Sequence, residues 1–292
     1  MLANFFIKST PMNYQRQILY DFANSVNGTI STSENYKECD VAVIFGSWKK
    51  SPKKKWKIIQ QHHFTKNDIV EKHRDKPLIV IETPLLGRTI TQEHEYHRVG
   101  LNHFMRGLAD FKSNNSKPDR FNKLGLKIKP WRNKGDHILI VGQNMFDASL
   151  FGIDFEWWVK NTIQHLRKHT DRDIVFRDHP ENKDQMKNLI DTYKWTKQVT
   201  YSNSGTINDD LKNAHCTVAY TSGSSIDSMI AGIPVITCSE YNFLWPISSH
   251  SLEDVENPKC GEREQLLYDL AYTQWTVDEI KQGKPWQHLI SK

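Results

Sequence analysis

Apolar residues along the chain alternate between short β-branched runs and stretches at helical spacing. Phe5–Ile7 is a first short run, read as a strand. Tyr14, Ile18, Leu19, Phe22 and Val26 then recur at the three- and four-residue intervals of an amphipathic helix, closed by Asn27-Gly28. Val41–Phe45 is an unbroken apolar strand ending at Gly46, and a helix around Ile58–Arg74 leads to the strand Leu78–Ile81, which ends at Glu82-Thr83-Pro84. In the second half, strands are expected at Ile138–Val141, Ile174–Phe176, Val199–Tyr201, Thr217–Tyr220 and Val235–Thr237. Helices are expected between them, near Glu156–His169, Lys183–Tyr193, Thr206–Asn213 and Ser225–Ala231, and in the tail near Glu262–Thr273 and Val277–Gln282. Strands and helices in alternation predict an α/β protein built on doubly wound parallel sheets.

Residues 85–135 break this rhythm, being rich in His, Arg, Asn and Gly, and read as site-forming loops. Pro130–Gly135 reads as a linker. The expected organisation is an acceptor-binding domain over 1–133 and a donor domain over 134–272, with a tail over 273–292 packing back on the first domain. Two Rossmann-like halves would face one another across a cleft. Neither G-x-G-x-x-G nor G-x-x-x-x-G-K-[ST] occurs, which argues against a dinucleotide fingerprint and a P-loop.

Composition narrows the class. The 292 residues suit two domains of about 150 each, and 38% hydrophobic content supports real cores. Mean hydropathy is −0.64, and no run approaches the roughly 18 apolar residues of a membrane span. MLANFFIKST lacks the pattern of a secretory signal. Cys39, Cys216, Cys238 and Cys260 are dispersed, which suggests core thiols in a reducing compartment and a cytoplasmic location. A net charge of +5 is compatible with a polyanionic partner.

Two loops carry candidate chemistry. Thr221-Ser222-Gly223-Ser224-Ser225 joins an apolar strand to a helix, offering hydroxyls and N–H groups at a helix start, where anions collect. A serine there also caps helices in the ordinary way. Arg177, His179 and Pro180 follow the strand Ile174–Phe176, where α/β sheets bind ligands. Arg177 offers a planar fork to phosphate and His179 a ring donor. Asp171-Arg172-Asp173 has metal-binding spacing but precedes its strand, so a turn is the better reading and no metal is expected in the reaction. His62-His63 has no partner ligand at useful spacing and reads as a solvated helix start.

The Arg-x-His-Pro element and the Ser-rich loop resemble the donor half of GT-B glycosyltransferases over roughly residues 136–240. They are most similar to bacterial capsule-type sialyl and Kdo transferases, in which an HP motif and a Ser motif hold the nucleotide phosphate. The resemblance implies that His179, Pro180, Ser224 and Ser225 bind the nucleotide, with Arg177 and Ser222 beside them; Thr221 and Gly223 of the same loop and Gln143 are further donor-site candidates. Asp178 departs from the family's R-P-H-P, which leaves open whether the acid alters donor choice or points away. ETPLLGR, RVGLNHF, KPWRNKGDHILIVGQ, TDRDIVFRDHP and YTSGSSIDSMIAGIPV together also resemble glycosyltransferases of large tailed phages. Some of those add glucose or arabinose to hydroxymethylcytosine in DNA. The implied donor is a nucleotide-sugar that is not tightly bound, a UDP-sugar such as UDP-glucose or UDP-arabinose, with a CMP-sugar as the alternative.

Sugar transfer also needs a group to take the acceptor proton. Glu82, at the end of a strand in the first half, is the first candidate and Asp110 the second, although Glu82 could instead cap a helix or pair with Arg88. Arg88, Arg98 and Asn102 are candidates for holding the acceptor. Trp48–Lys57, WKKSPKKKWK, adds Lys49, Lys50, Lys53, Lys54, Lys55 and Trp56, a pattern that suits phosphates and stacked bases and also suits a solvated loop. Hydroxymethylated cytosine in double-stranded phage DNA, with the target base flipped out, is therefore the expected acceptor. A surface polysaccharide is the alternative, and a non-catalytic nucleic-acid-binding module is a third reading.

Overall fold

The computed structural model describes residues 1–7, 13–32, 35–48, 66–88, 93–132, 134–192 and 199–290. The chain divides into two compact units, Met1–Leu124 with Leu267–Lys292, and Gly125–Leu266. The change of unit thus falls at 124/125, before the Pro130–Gly135 stretch read as the linker. Pro130 packs inside the second unit, where its carbonyl oxygen would lie 2.1 Å from a Cβ added at Gly232.

The first unit holds strands β1 (Ala3–Ile7), β2 (Thr29–Thr32), β3 (Val41–Phe45), β4 (Leu78–Glu82) and β5 (Tyr96–Leu101). The second holds β6 (His137–Val141), β7 (Asp173–Arg177), β8 (Val199–Ser202), β9 (Ala214–Ala219) and β10 (Val235–Thr237). β11 (Gln274–Thr276) returns to the first unit.

In the first unit the sheet order is β11-β5-β4-β3-β1-β2. β1 to β4 are parallel, but β5 runs antiparallel to β4, and β11 antiparallel to β5. The sheet is therefore mixed, which corrects the expectation of a purely parallel one. β5 was read as loop because its sequence, YHRVGL, carries His97 and Arg98; both are buried because β4 and β11 flank the strand. One face of this sheet is built from Phe5, Ile7, Val41, Val43, Ile79 and Ile81. Ile18, Leu19 and Phe22 of the helix Tyr14–Ser25 cover it, together with Trp275, Ile280 and Leu289 from the C-terminal segment. Gln274 fixes that segment: its Oε1 accepts from the backbone N–H groups of Leu85 (3.1 Å) and Leu86 (3.0 Å).

The second unit's sheet is wholly parallel, in the order β10-β9-β6-β7-β8. Alternation along β6 sends Ile138 and Ile140 to one face and Leu139 and Val141 to the other. The first pair meets Val159, Ile163 and Leu166 of the helix Phe155–Leu166. Strands covered on both faces read as continuous apolar runs, which is why β6 and β9 in the middle of the sheet were legible.

Candidate functional site

The chain runs outward from β6 through β7 to β8, then returns to β9 on the other side of β6. This reversal is the topological switch point at which open α/β sheets bind ligands, beyond the strands' carboxyl ends. Register makes the point concrete. Val141 lies opposite both Arg177 and Ala219, so β7, β6 and β9 end level and their loops start side by side. With neighbouring strands about 4.8 Å apart, the outer two loops begin about 10 Å from each other. Gly142 permits this crowding, since a Cβ there would sit 2.7 Å from the Arg177 carbonyl oxygen.

A buried polar network joins the three loops. Gln143 Oε1 accepts from the Thr221 N–H at 3.1 Å, and its Nε2 donates to Thr221 Oγ1 at 2.9 Å and to Ser149 Oγ at 3.1 Å. Asn182 Nδ2 donates to the Gln143 carbonyl (3.0 Å) and to Asp178 Oδ1 (2.7 Å), while its Oδ1 accepts from the Met145 N–H (3.0 Å). Ser222 Oγ donates to the Gly142 carbonyl at 3.1 Å. Asn242, after β10, donates to the Tyr220 carbonyl at 3.0 Å. Asn182 and Asn242 escaped the sequence reading, and their only signal was an amide residue in a turn beyond a strand.

Asp178 points away from the loop surface. It is buried, and its carboxylate accepts from the His179 N–H (2.8 Å), Asn182 Nδ2 (2.7 Å) and the Tyr201 hydroxyl (2.8 Å). Burial and the carboxylates of Asp184 and Asp178 push the Tyr201 hydroxyl's pKa up, so it stays a donor. The departure from R-P-H-P thus anchors the His-Pro turn. Pro180 is exposed and opens the 3-10 turn Pro180–Asn182, where a missing N–H is harmless. His179 Nδ1 accepts from the Glu181 N–H at 3.2 Å, which assigns the proton to Nε2 and makes that nitrogen a donor.

Several expected ligand groups are committed elsewhere. Arg177 pairs with Asp210 at 2.6 Å and donates to the carbonyls of Ser204 (2.9 Å) and Gly205 (2.9 Å). Its fork pins the loop after β8 instead of standing open to phosphate. Gln143 is buried within the network. Thr221, Ser222 and Ser225 are buried too, and Ser225 Oγ donates to the Ser222 carbonyl at 2.7 Å. The helix begins at Ser224, behind Gly223, and runs seven residues to Ile230. The Ser224 hydroxyl is half-buried and makes no hydrogen bond among the described residues.

In the first unit, Glu82 stands at the carboxyl end of β4, half-buried, accepting from the N–H groups of Ser47 (2.9 Å) and Thr83 (2.9 Å). His94 lies within its electrostatic reach: burial and Arg88 lower the imidazole's pKa, and Glu82 opposes them. Tyr14 links this group to β5, its hydroxyl donating to the His94 carbonyl and lying 3.1 Å from His97 Nε2. His97 is held neutral, its pKa pushed down to about 4 by burial and by His94. His94 and His97 were not singled out from sequence, where Tyr14 figures only as an apolar position of its helix.

Asp110 and Asn102 do not join Glu82. Asn102 accepts from the Leu78 N–H at 3.2 Å, and Asp110 bridges to Leu101, whose own partner in β4 is Ile79. Both therefore sit at the amino end of β4, about 13 Å of strand away from Glu82. The antiparallel course of β5 is the reason. Arg98 is buried in β5 and Arg88 is exposed. Lys49, Lys50, Lys53, Lys54, Lys55 and Trp56 lie outside the described residues, as do His62 and His63. Trp48, at the start of that run, packs edge-on against His103 (ring centroids 5.0 Å apart) and Phe104 (5.2 Å).

Asp171 and Asp173 are exposed, and β7 starts at Asp173, so the D-x-D spacing lies at the sheet edge opposite the ligand loops. The four cysteines are free thiols. Among the described residues, no helix is long and apolar enough to cross a membrane.

No protein-family model and no curated protein matches the chain. Among solved structures it is similar to the β-Kdo 2,7-transferase of Thermosulfurimonas dismutans KpsC, with a TM-score of 0.54 and 15% identity over 96% of this chain and 97% of that one. It is also similar to the β-Kdo 2,4-transferase of the same organism's KpsC, with a TM-score of 0.52 and 13% identity over 93% and 90%. At such identities the likeness is one of fold. The GT-B class, with two α/β units of Rossmann type, is the fold of this chain.

Proposed function

We propose that this chain is a glycosyltransferase that moves a sugar from a CMP- or UDP-linked donor onto a surface polysaccharide. The observation that carries this reading is the set of three level strand ends, with loops locked together by Gln143, Asn182 and Ser222. That lock leaves His179 Nε2 and the Ser224 hydroxyl to face a ligand at the switch point. In transfer, the bond from the sugar's anomeric carbon to the phosphate oxygen breaks and a bond to the acceptor oxygen forms. The leaving phosphate gains negative charge, which donors such as His179 and Ser224 stabilise. A carboxylate has to take the acceptor's proton, and Glu82 of the first unit is the candidate for that role. Kdo is the first sugar to test, because the solved structures of like fold are Kdo transferases.

DNA carrying hydroxymethylcytosine is the second reading, favoured by the lysine and tryptophan run 48–57. An assay with both acceptors separates the two. Each is incubated with CMP-Kdo, UDP-glucose and UDP-arabinose, and products are read by mass spectrometry. A Kdo or hexose increment on an oligosaccharide supports the proposal. An increment on the modified base moves the acceptor to DNA, and silence with every pair defeats the transferase reading.

A further inference from the structure

We propose that His165, His169 and Glu253 form a zinc site, built into the second unit away from the nucleotide loops. His165 lies in the last turn of the helix Phe155–Leu166 and His169 four residues on, with ring centroids 5.1 Å apart. Glu253 comes from the 3-10 turn Leu252–Glu256, which packs against the same helix. One ligand atom from each residue lies within 4.8 Å of the others. Tetrahedral zinc, with bonds of about 2.0–2.1 Å, needs these atoms about 3.3 Å apart, a closure within reach of side-chain rotation.

Three further observations point to a soft-ligand cation. Among the described residues His165 Nε2 is shut off from solvent and meets no hydrogen-bond partner, an uncommon state for a ring nitrogen that a metal bond would relieve. The carboxyl end of a twelve-residue helix places negative partial charge beside the cluster. Two nearby arginines are committed elsewhere: Arg167 donates to the carbonyls of Thr170 and Arg172, and Arg172 pairs with Glu256. Two imidazoles and a carboxylate are a donor set for zinc, with a fourth position for water, whereas magnesium and calcium want oxygen throughout.

The site's place suggests a staple. β7 begins four residues after His169, so the cluster lies at the sheet edge opposite the loops that follow β6, β7 and β9. Glu256 already ties the Leu252–Glu256 turn to Arg172 at 2.9 Å, so Glu253 is held close before any metal binds. Zinc would lock the end of the helix to a turn 84 residues further along the chain (253 − 169).

The test is titration of chelator-stripped full-length protein with zinc against a chromophoric chelator, alongside thermal melts with and without zinc. One zinc per chain with a micromolar or tighter Kd, and a raised Tm, is expected. The variant His165→Ala/His169→Ala is expected to bind at least about 100-fold more weakly and to lose the Tm shift. Glu253→Gln, altered at an exposed side chain, keeps the fold and is expected to weaken binding with donor turnover unchanged. Equal affinity in the double variant and Glu253→Gln would overturn the site, as would a wild-type Kd weaker than about 1 mM.

Discussion

Gln143 and Thr221 are 78 residues apart and hold each other by a reciprocal pair of hydrogen bonds, amide oxygen to backbone N–H at 3.1 Å and amide nitrogen to hydroxyl at 2.9 Å. The pair closes the space between the β6 and β9 loops from beneath. A glutamine amide matches one donor and one acceptor at once, and a leucine of like size would leave the Thr221 N–H buried without its partner, while the hydroxyl keeps Ser149. Gln143→Leu is expected to cost about 1–3 kcal/mol in urea unfolding and to weaken donor binding. Unchanged stability would mean that the loops are held by something else.

His179 and Arg177 should part company. His179→Ala removes a ring donor with little packing and is expected to lose turnover while keeping stability. Arg177→Ala strands the mostly buried Asp210 and is expected to destabilise by about 3–5 kcal/mol. Adding Asp210→Asn should recover much of that loss. Melting curves beside single-turnover rates distinguish the two roles, and a fully stable, inactive Arg177→Ala would return the guanidinium to the ligand.

Glu82 and Asp110 make a second contrast. Glu82→Gln is expected to lower kcat by at least about 100-fold, in the range of an acid–base group, with KM for the donor little changed. Asp110→Asn, at the other end of β4, is expected to leave both constants unchanged. Equal losses in the two variants would undo the assignment of the base.

Acid should weaken the first unit. Burial pushes the pKa of His97 down to about 4 from 6.5, so the unfolded chain takes up a proton that the folded one refuses. The stabilising difference is present in full above pH 6.5 and is lost as pH falls toward 4, by about 3 kcal/mol. His103, also lowered to about 4 by burial, adds in the same direction. Urea unfolding followed between pH 4 and pH 7 checks this, and a His97→Gln variant with an undiminished slope would refute the part given to His97.

The fold was legible where strands are covered on both faces. Ile138–Val141 and Val41–Phe45 announce themselves as apolar runs, and the helix Tyr14–Ser25 by its spacing. β5 was not legible, because a strand buried between two others can carry His97 and Arg98 without losing its place. Reading residues 85–135 as loops also gave no place to Asp110 and Asn102, which the antiparallel course of β5 puts at the amino end of β4.

The candidate site was half legible. Short motifs marked the loops after β7 and β9, and strand register sets those loops beside the one after β6. Motifs do not show which side chains are used up in building the loops. Arg177, Gln143, Thr221, Ser222 and Ser225 look like ligand groups in sequence and are structural in space, while Asp178 and Asn182 look incidental and hold the turn.

The most direct test of the proposed nucleotide seat is calorimetric titration of the chain with CMP and with UDP, repeated on His179→Ala and Ser224→Ala. The account predicts that one of the nucleotides binds one to one, that each variant weakens it, and that both variants melt at the wild-type temperature. Nucleotide binding of undiminished strength in the two stable variants would contradict it.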